Sequence, residues 1–306
     1  MLGGYHMKDY TFTQQFILIG LDGLDSLHTS TAKTAVMRGI QAAMFLEENL
    51  ELLEQNTNSE FQEAWKMIES QIHKLDKTDV ESLEKIVTAP LKEDGTLEEI
   101  QDLLACDINY ESAGIDIKVY RTEASVYQKI SESIRTEILG DGEISTECFG
   151  LLWLMRESCC LHEHFSTEEQ KRIEQRMIQI TLAKPNYRMI WETEFHNIFE
   201  HAILKFLNAK SNLFKNPYLE GVNLAYPYLE RRKAIFIDVV VLGTTVASRR
   251  LATIEHLNKH GHYVEEVKNG TETLLKIDNS FYRIWPSARR YYKIPVQGVN
   301  LVPVYK

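Results

Sequence analysis

The chain has 306 residues, of which 44% are hydrophobic and 25% charged, with a formal net charge of −10. This composition excludes disordered and collagen-like classes and supplies enough apolar material for one large core or two smaller ones. No run reaches the roughly 18 consecutive apolar residues of a spanning helix, and the first residues lack a secretory pattern, so the expected location is the cytoplasm, extended at most to a peripheral place on a membrane. Cys106, Cys148, Cys159 and Cys160 include no CxxC, which argues against a disulfide framework or a zinc knuckle.

The charge is uneven: residues 1–110 carry a net −12, residues 111–210 a net −4 and residues 211–306 a net +6. An acidic chain is a poor general nucleic-acid binder, because affinity for phosphate backbones needs clustered cations. The basic last third either attracts the acidic remainder within one fold or faces an anionic partner.

Helix signals dominate the first two thirds. Phe12, Phe16, Ile17 and Ile19 precede the acidic turn Asp22-Gly23-Leu24-Asp25, and Ala35, Val36, Ile40, Ala43 and Met44 mark a helix of small side chains from Thr31. Ser59 with Gln62 suggests a capping box opening the stripe Phe61, Trp65, Ile68, Ile72, Leu75. A shorter helix around Leu83 to Val87 is expected to end near Pro90, and another to carry Leu97, Ile100, Leu103 and Leu104. Ile115, Ile117 and Val119 alternate with polar residues and predict a short strand.

Val126, Ile130, Ile134 and Ile138 step by four up to Gly140-Asp141-Gly142, and a helix resumes at Ser145. Ser166 and Glu169 form a second capping box, before Ile173, Met177 and Ile180. The aromatic stripe from Trp191 to Phe206 predicts a core helix of about five turns, and residues 211–233 a loop or linker. Ile235 to Leu242 is compatible with a buried helix or a strand; Ala247 to Leu257 predicts a helix capped by Gly261, and Asn269-Gly270 a hairpin.

Catalytic signatures are absent: there is no GxGxxG after a strand, no GxxxxGK[ST], no GxSxG and no HExxH, so neither an enzyme nor a cofactor is expected. Glu192, His196 and Glu200 stand four apart, and His256, His260 and His262 cluster, but solvated or hydrogen-bonded side chains explain both groups and no metal is expected. Cations remain. Lys33, Arg38, Lys129, Arg135, Arg249-Arg250 and Arg289-Arg290 are candidates for holding phosphate, arginine through its planar two-donor fork.

Two segments carry a family resemblance. Phe16 to Glu48 joins an apolar helix, an acidic glycine turn and a helix of small residues, and Ile134 to Ile180 joins a helix, a short acidic glycine turn and an apolar helix. This pattern resembles the Golgi phosphoprotein 3 family, as a divergent relative of bacterial type. The resemblance implies a mostly helical, non-enzymatic protein whose eukaryotic relatives bind phosphatidylinositol 4-phosphate on Golgi membranes and retain glycosyltransferases there. The family's pocket tryptophan falls here among Thr29 to Ala32, its first arginine on Arg38 with a gap or on Gln41 without one, and its later arginines on Gln128 and Ser131, with Lys129 and Arg135 nearby.

The expectation is therefore a mainly α fold, a compact multi-helix domain with a few short β-hairpins. Residues 8–210 would form the helical core, and residues 234–306 a helix plus hairpin part packed on it. Its expected role is peripheral, adaptor-like binding of an anionic lipid head group or acidic protein partner through Arg38, Lys129 and Arg135. A winged-helix-like module for nucleic acid or protein within residues 235–290 is the alternative.

Overall fold

The computed structural model describes residues 10–55, 59–195, 231–232, 234–238, 245–268, 273–291 and 294–304. Helices α1 (Phe12–Gly20), α2 (Thr31–Glu54), α3 (Ser59–Ile72) and α4 (Lys77–Glu93) come first, then strand β1 (Leu97–Gln101), α5 (Ile108–Ala113) and β2 (Lys118–Thr122). Next are α6 (Ala124–Leu139), α7 (Thr146–Glu157), α8 (Leu161–His164), α9 (Thr167–Ala183) and α10 (Pro185–Glu192). The last part holds β3 (Ile235–Asp238), α11 (Val246–Lys259), β4 (Val264–Lys268), β5 (Thr273–Ile277), β6 (Ser280–Tyr291) and β7 (Ile294–Val304).

The expected mainly α fold with a few short hairpins does not hold. Among the described residues a five-stranded antiparallel sheet, in the order β3-β7-β6-β5-β4, joins α11 in the last third, and β1 and β2 pair in a second sheet. The physical reason is the placement of proline. Pro286, Pro295 and Pro303 interrupt any strand pattern in the sequence, yet β5 pairs with β6 only as far as Ile284 and β3 pairs with β7 only over 298–301. Each proline therefore lies where its strand has a single neighbour, and its missing N–H leaves no second ladder broken.

The apolar core divides into two clusters. The first lies within the helices. Its centre is α7, buried on all sides from Phe149 to Met155, as expected of a helix apolar all round. Around it, Trp153 stacks edge-on with Trp65 (5.3 Å) and Phe195 (5.0 Å). In the second cluster, Ile235, Ile237, Leu275, Ile277, Tyr282, Val299 and Leu301 share one face of the sheet with Leu257 of α11. Leu103 and Cys106, from a short 3-10 helix after β1, complete this cluster. By the two-residue period of a strand, Lys276 and its cross-strand partner Phe281 lie on the opposite face.

Several local expectations are corrected. Leu97 and Ile100 lie in strand β1, not a helix, and the strand expected around Ile115 to Val119 begins at Lys118. α4 runs one turn past Pro90 and ends at Glu93, close to the expected boundary. Ser59 is itself helical, and the Gln62 amide donates to Asn186 Oδ1 (3.2 Å). The aromatic helix predicted from Trp191 is not formed at its start, because α10 ends at Glu192 and Thr193 turns extended. There the Thr193 carbonyl accepts from Trp153 Nε1 (3.2 Å) and its hydroxyl from Trp65 Nε1 (3.0 Å). Residues 196–206 of that stripe, and Asn269-Gly270, lie outside the described residues. None of the four cysteines is in a disulfide, and burial pushes the Cys106 thiol up to about 12.

Candidate functional site

The two parts of the fold meet through buried charge. The Asp22-Gly23-Leu24-Asp25 turn lies alongside β2, with Gly23 N donating to the Tyr120 carbonyl (2.8 Å) and Tyr120 N to the Leu24 carbonyl (2.9 Å). Gly23 has φ +75°, and a Cβ there would stand 3.0 Å from an Arg232 guanidinium nitrogen, so both backbone and space call for glycine. The turn aims Asp22 inward. Its Oδ1 accepts from Thr122 N (2.9 Å) and Asn279 Nδ2 (2.9 Å), and its Oδ2 from Arg232 Nη2 (3.2 Å).

Glu163, on the one-turn helix α8, takes the other side of the arginine pair. Its Oε1 accepts from Arg231 Nε (2.9 Å) and its Oε2 from Arg232 Nη2 (3.2 Å), while Arg231 Nη2 donates to the Asp22 carbonyl (3.2 Å). The side chains of Glu163 and Arg231 are 3% and 1% exposed, so water screens almost none of this pairing. Burial opposes ionisation of Glu163, yet the two guanidiniums outweigh it and hold the carboxyl at about 2. At Asp22 burial wins and raises the carboxyl above its ordinary value, despite Arg232 and the donors from Thr122 and Asn279.

Beside this clamp, between α6 and the turn from β5 to β6, lies a partly open cavity of about 130 Å³. Gln128, Ser131 and Arg135 enter it from α6, Lys276 from the polar face of β5, and Arg232 from the clamp. Arg135 Nη1 donates to the His164 carbonyl (2.8 Å), its Nη2 pairs with Glu169, and the guanidinium sits 5.7 Å from the Phe165 ring centre. Lys276 Nζ and the Gln128 amide have no hydrogen-bond or ionic partner among the described residues. Glu132 also lines the wall, and Glu163 is neutralised by the clamp. Three cations thus line the cavity: Arg135 paired with Glu169, Arg232 paired with Asp22 and Glu163, and Lys276, whose ammonium has no partner among the described residues.

Ser131 Oγ lies 3.1 Å from His164 Nδ1, and Tyr127 OH 3.3 Å from His164 Nε2. A serine and histidine in contact invite a nucleophilic reading. The group orienting this imidazole is a phenol, however, whereas a base of that kind is normally oriented by a carboxylate that stabilises its protonated form.

Of the three residues expected to hold the ligand, only Arg135 reaches this cavity. Arg38 Nη1 donates to the Phe195 carbonyl (2.8 Å) in the helical core. Lys129 is exposed on α6 and does not line this cavity. Lys33 is buried against Glu84 (2.5 Å). Gln128 and Ser131, where the resemblance places family arginines, do line the wall beside Arg135. Sequence reasoning missed Lys276, Arg231 and Arg232. The last two fell in the expected linker, and the signal that could have found them is the basic last third facing two acidic thirds.

The histidine clusters are engaged elsewhere. His256 Nε2 meets the Cys106 carbonyl (2.7 Å), His260 Nδ1 the His256 carbonyl (2.8 Å) and His262 Nδ1 the Asp278 carboxylate (2.8 Å). Glu192 is exposed at the end of α10, and His196 and Glu200 lie outside the described residues. Among the described residues no group of three or more potential metal ligands converges, and no helix is long and apolar enough to cross a membrane. No family model, curated protein or solved structure matches the chain.

Proposed function

We propose that this protein is a non-catalytic docking module that binds anionic head groups of phosphoinositide type, phosphatidylinositol 4-phosphate by the resemblance, at the surface of a membrane. The carrying observation is the convergence of Arg135, Arg232 and Lys276, the last without a partner among the described residues, on one partly open cavity. A phosphate monoester brings several acceptor oxygens, which suits a guanidinium fork, an ammonium and a spare amide better than any neutral ligand does. The cavity also borrows from both parts of the fold, so its shape depends on the clamp that joins them.

The test is vesicle flotation with phosphatidylcholine alone, with added phosphatidylserine, and with added phosphatidylinositol 4-phosphate. The expected result is binding to the last, weakening as salt shortens the range of the attraction. Lys276→Glu should lower it roughly 30-fold, since a basic residue at an anionic surface is worth about 1 kcal/mol and reversal counts twice. Failure to bind any vesicle, or unchanged binding by Lys276→Glu, would overturn the reading.

A further inference from the structure

One wall of the head-group cavity holds a histidine between two hydroxyls. His164, the last residue of α8, is 6% exposed and anchored to α6: its carbonyl accepts from Arg135 Nη1 (2.8 Å), and its ring lies 5.4 Å from the Tyr127 ring centre. Ser131 Oγ stands 3.1 Å from Nδ1 and Tyr127 OH 3.3 Å from Nε2, and all three residues line the cavity.

A hydroxyl can give or take a hydrogen bond, whereas a neutral imidazole has one nitrogen that donates and one that accepts. In the neutral ring, one of the two hydroxyls therefore spends its hydrogen on the accepting nitrogen. In the doubly protonated ring both nitrogens donate, both hydroxyls accept, and both O–H groups are free to turn toward the cavity. Protonation thus needs no movement of heavy atoms, adds a positive charge at the wall and releases one donor. An anion with several acceptor oxygens gains from both changes.

The charges facing this ring define when the proton is wanted. From α6 come Tyr127, Glu132 and Arg135, from α9 Glu169, from β5 Lys276, and from the clamp Arg231 and Arg232, while His162 and Glu163 flank it on α8 itself. Arg135 is paired with Glu169, Arg231 with Glu163, and Arg232 with Glu163 and Asp22. On the neighbouring helices Glu168 pairs with Lys171 and Arg156 with Glu157. A phosphate monoester brings about 1.5 to 2 negative charges at pH 7, and Glu132 lies exposed in the same wall. Lys276 offsets one of these charges, and a proton on His164 offsets another. The adjacent His162 resists such a proton, because desolvation pushes its imidazole down and Arg231 and Arg232 add to the fall against Glu163.

We propose that His164 couples head-group binding to proton uptake, a role that rests on the head-group reading of this cavity: the imidazole takes a proton from solvent onto its accepting nitrogen as the phosphate enters, so that binding strengthens on acidification. By reciprocity, the proton and the anion favour each other equally.

The probe is vesicles of phosphatidylcholine with phosphatidylinositol 4-phosphate, titrated with the full chain at about pH 7.5 and about pH 5.5, on either side of the imidazole range. A phosphate monoester itself gains a proton near pH of about 6, which affects every protein alike, so the effect is read as a difference between proteins. Between the two conditions the wild type should gain about fivefold in affinity relative to His164→Gln, the factor expected of one basic group at an anionic surface. Calorimetry on the unaltered chain at about pH 7, in two buffers of different ionisation enthalpy, needs no variant and should show net proton uptake on binding. An equal response to pH in His164→Gln would assign the effect to another group, Asp22 first because burial raises its carboxyl, and would overturn the assignment. Binding without proton uptake would overturn it too, and either result leaves the head-group reading standing. Failure to bind the vesicles at both pH values would overturn both.

Discussion

Glu163→Gln should lower the folding stability of this protein by about 3–5 kcal/mol, the cost of breaking a buried ion pair by removing one partner. Glutamine preserves the shape of the side chain but leaves two guanidiniums with Asp22 as the one carboxylate between them among the described residues. Urea unfolding checks this through a lower midpoint at unchanged slope, which separates lost stability from altered compactness. A second variant, Glu163→Gln with Arg231→Gln, should recover part of the loss, because the removed positive charge no longer needs a partner. An unfolding free energy for Glu163→Gln within about 0.5 kcal/mol of wild type would show that the clamp does not join the two parts.

The same carboxylate sets the acid limb of stability. Its folded value of about 2 lies below the ordinary 4.5, so as pH falls the unfolded chain takes up the proton first. The contribution of Glu163 is therefore complete above about pH 4.5 and is lost progressively toward pH 2, about 3 kcal/mol in all. Asp22 acts in the opposite direction. Its carboxyl is raised by burial, so it costs stability in the neutral range and that cost is relieved on acidification. A steep fall in stability between pH 4.5 and 2 that flattens in Glu163→Gln is the expected signature. Equal slopes in the two proteins would contradict it.

Local rules could be read from the sequence wherever an interaction spans a few residues. The Ser166–Glu169 capping box is formed as expected, Ser145 caps α7, and Gly261 follows the last turn of α11 with φ +86°. What could not be read depends on distant partners. Leu97 and Ile100 have helical spacing, but register with β2 pairs Leu97 with Thr122 and Ile100 with Val119. The helix from Trp191 stops because two buried indoles need Thr193 as acceptor, a demand set by Trp65 and Trp153 far away in sequence. The candidate site follows the same division. Arg135 was visible as a cation near a glycine turn, whereas Lys276 and the arginine pair gain meaning only when the sheet docks on α6 and α8.

The sheet itself is exposed to one small substitution. Gly298→Ala drives a Cβ into the Ile237 carbonyl oxygen and places it 2.5 Å from the Phe236 ring. The ring could rotate away, but the oxygen belongs to backbone, and β3 pairs with β7 through Phe236↔Asn300, Ile237↔Val299 and Asp238↔Gly298. Relief therefore requires β3 to separate from β7. Overpacking costs about 1–3 kcal/mol and occasionally more, and this case belongs at the upper end because no rotamer change removes the clash. Amide hydrogen exchange should show lost protection in β3 and β7, with α1, α2 and α7 retaining theirs, since their cluster shares none of these residues. Uniform protection in Gly298→Ala would mean that β3 is not held against β7 by this close approach.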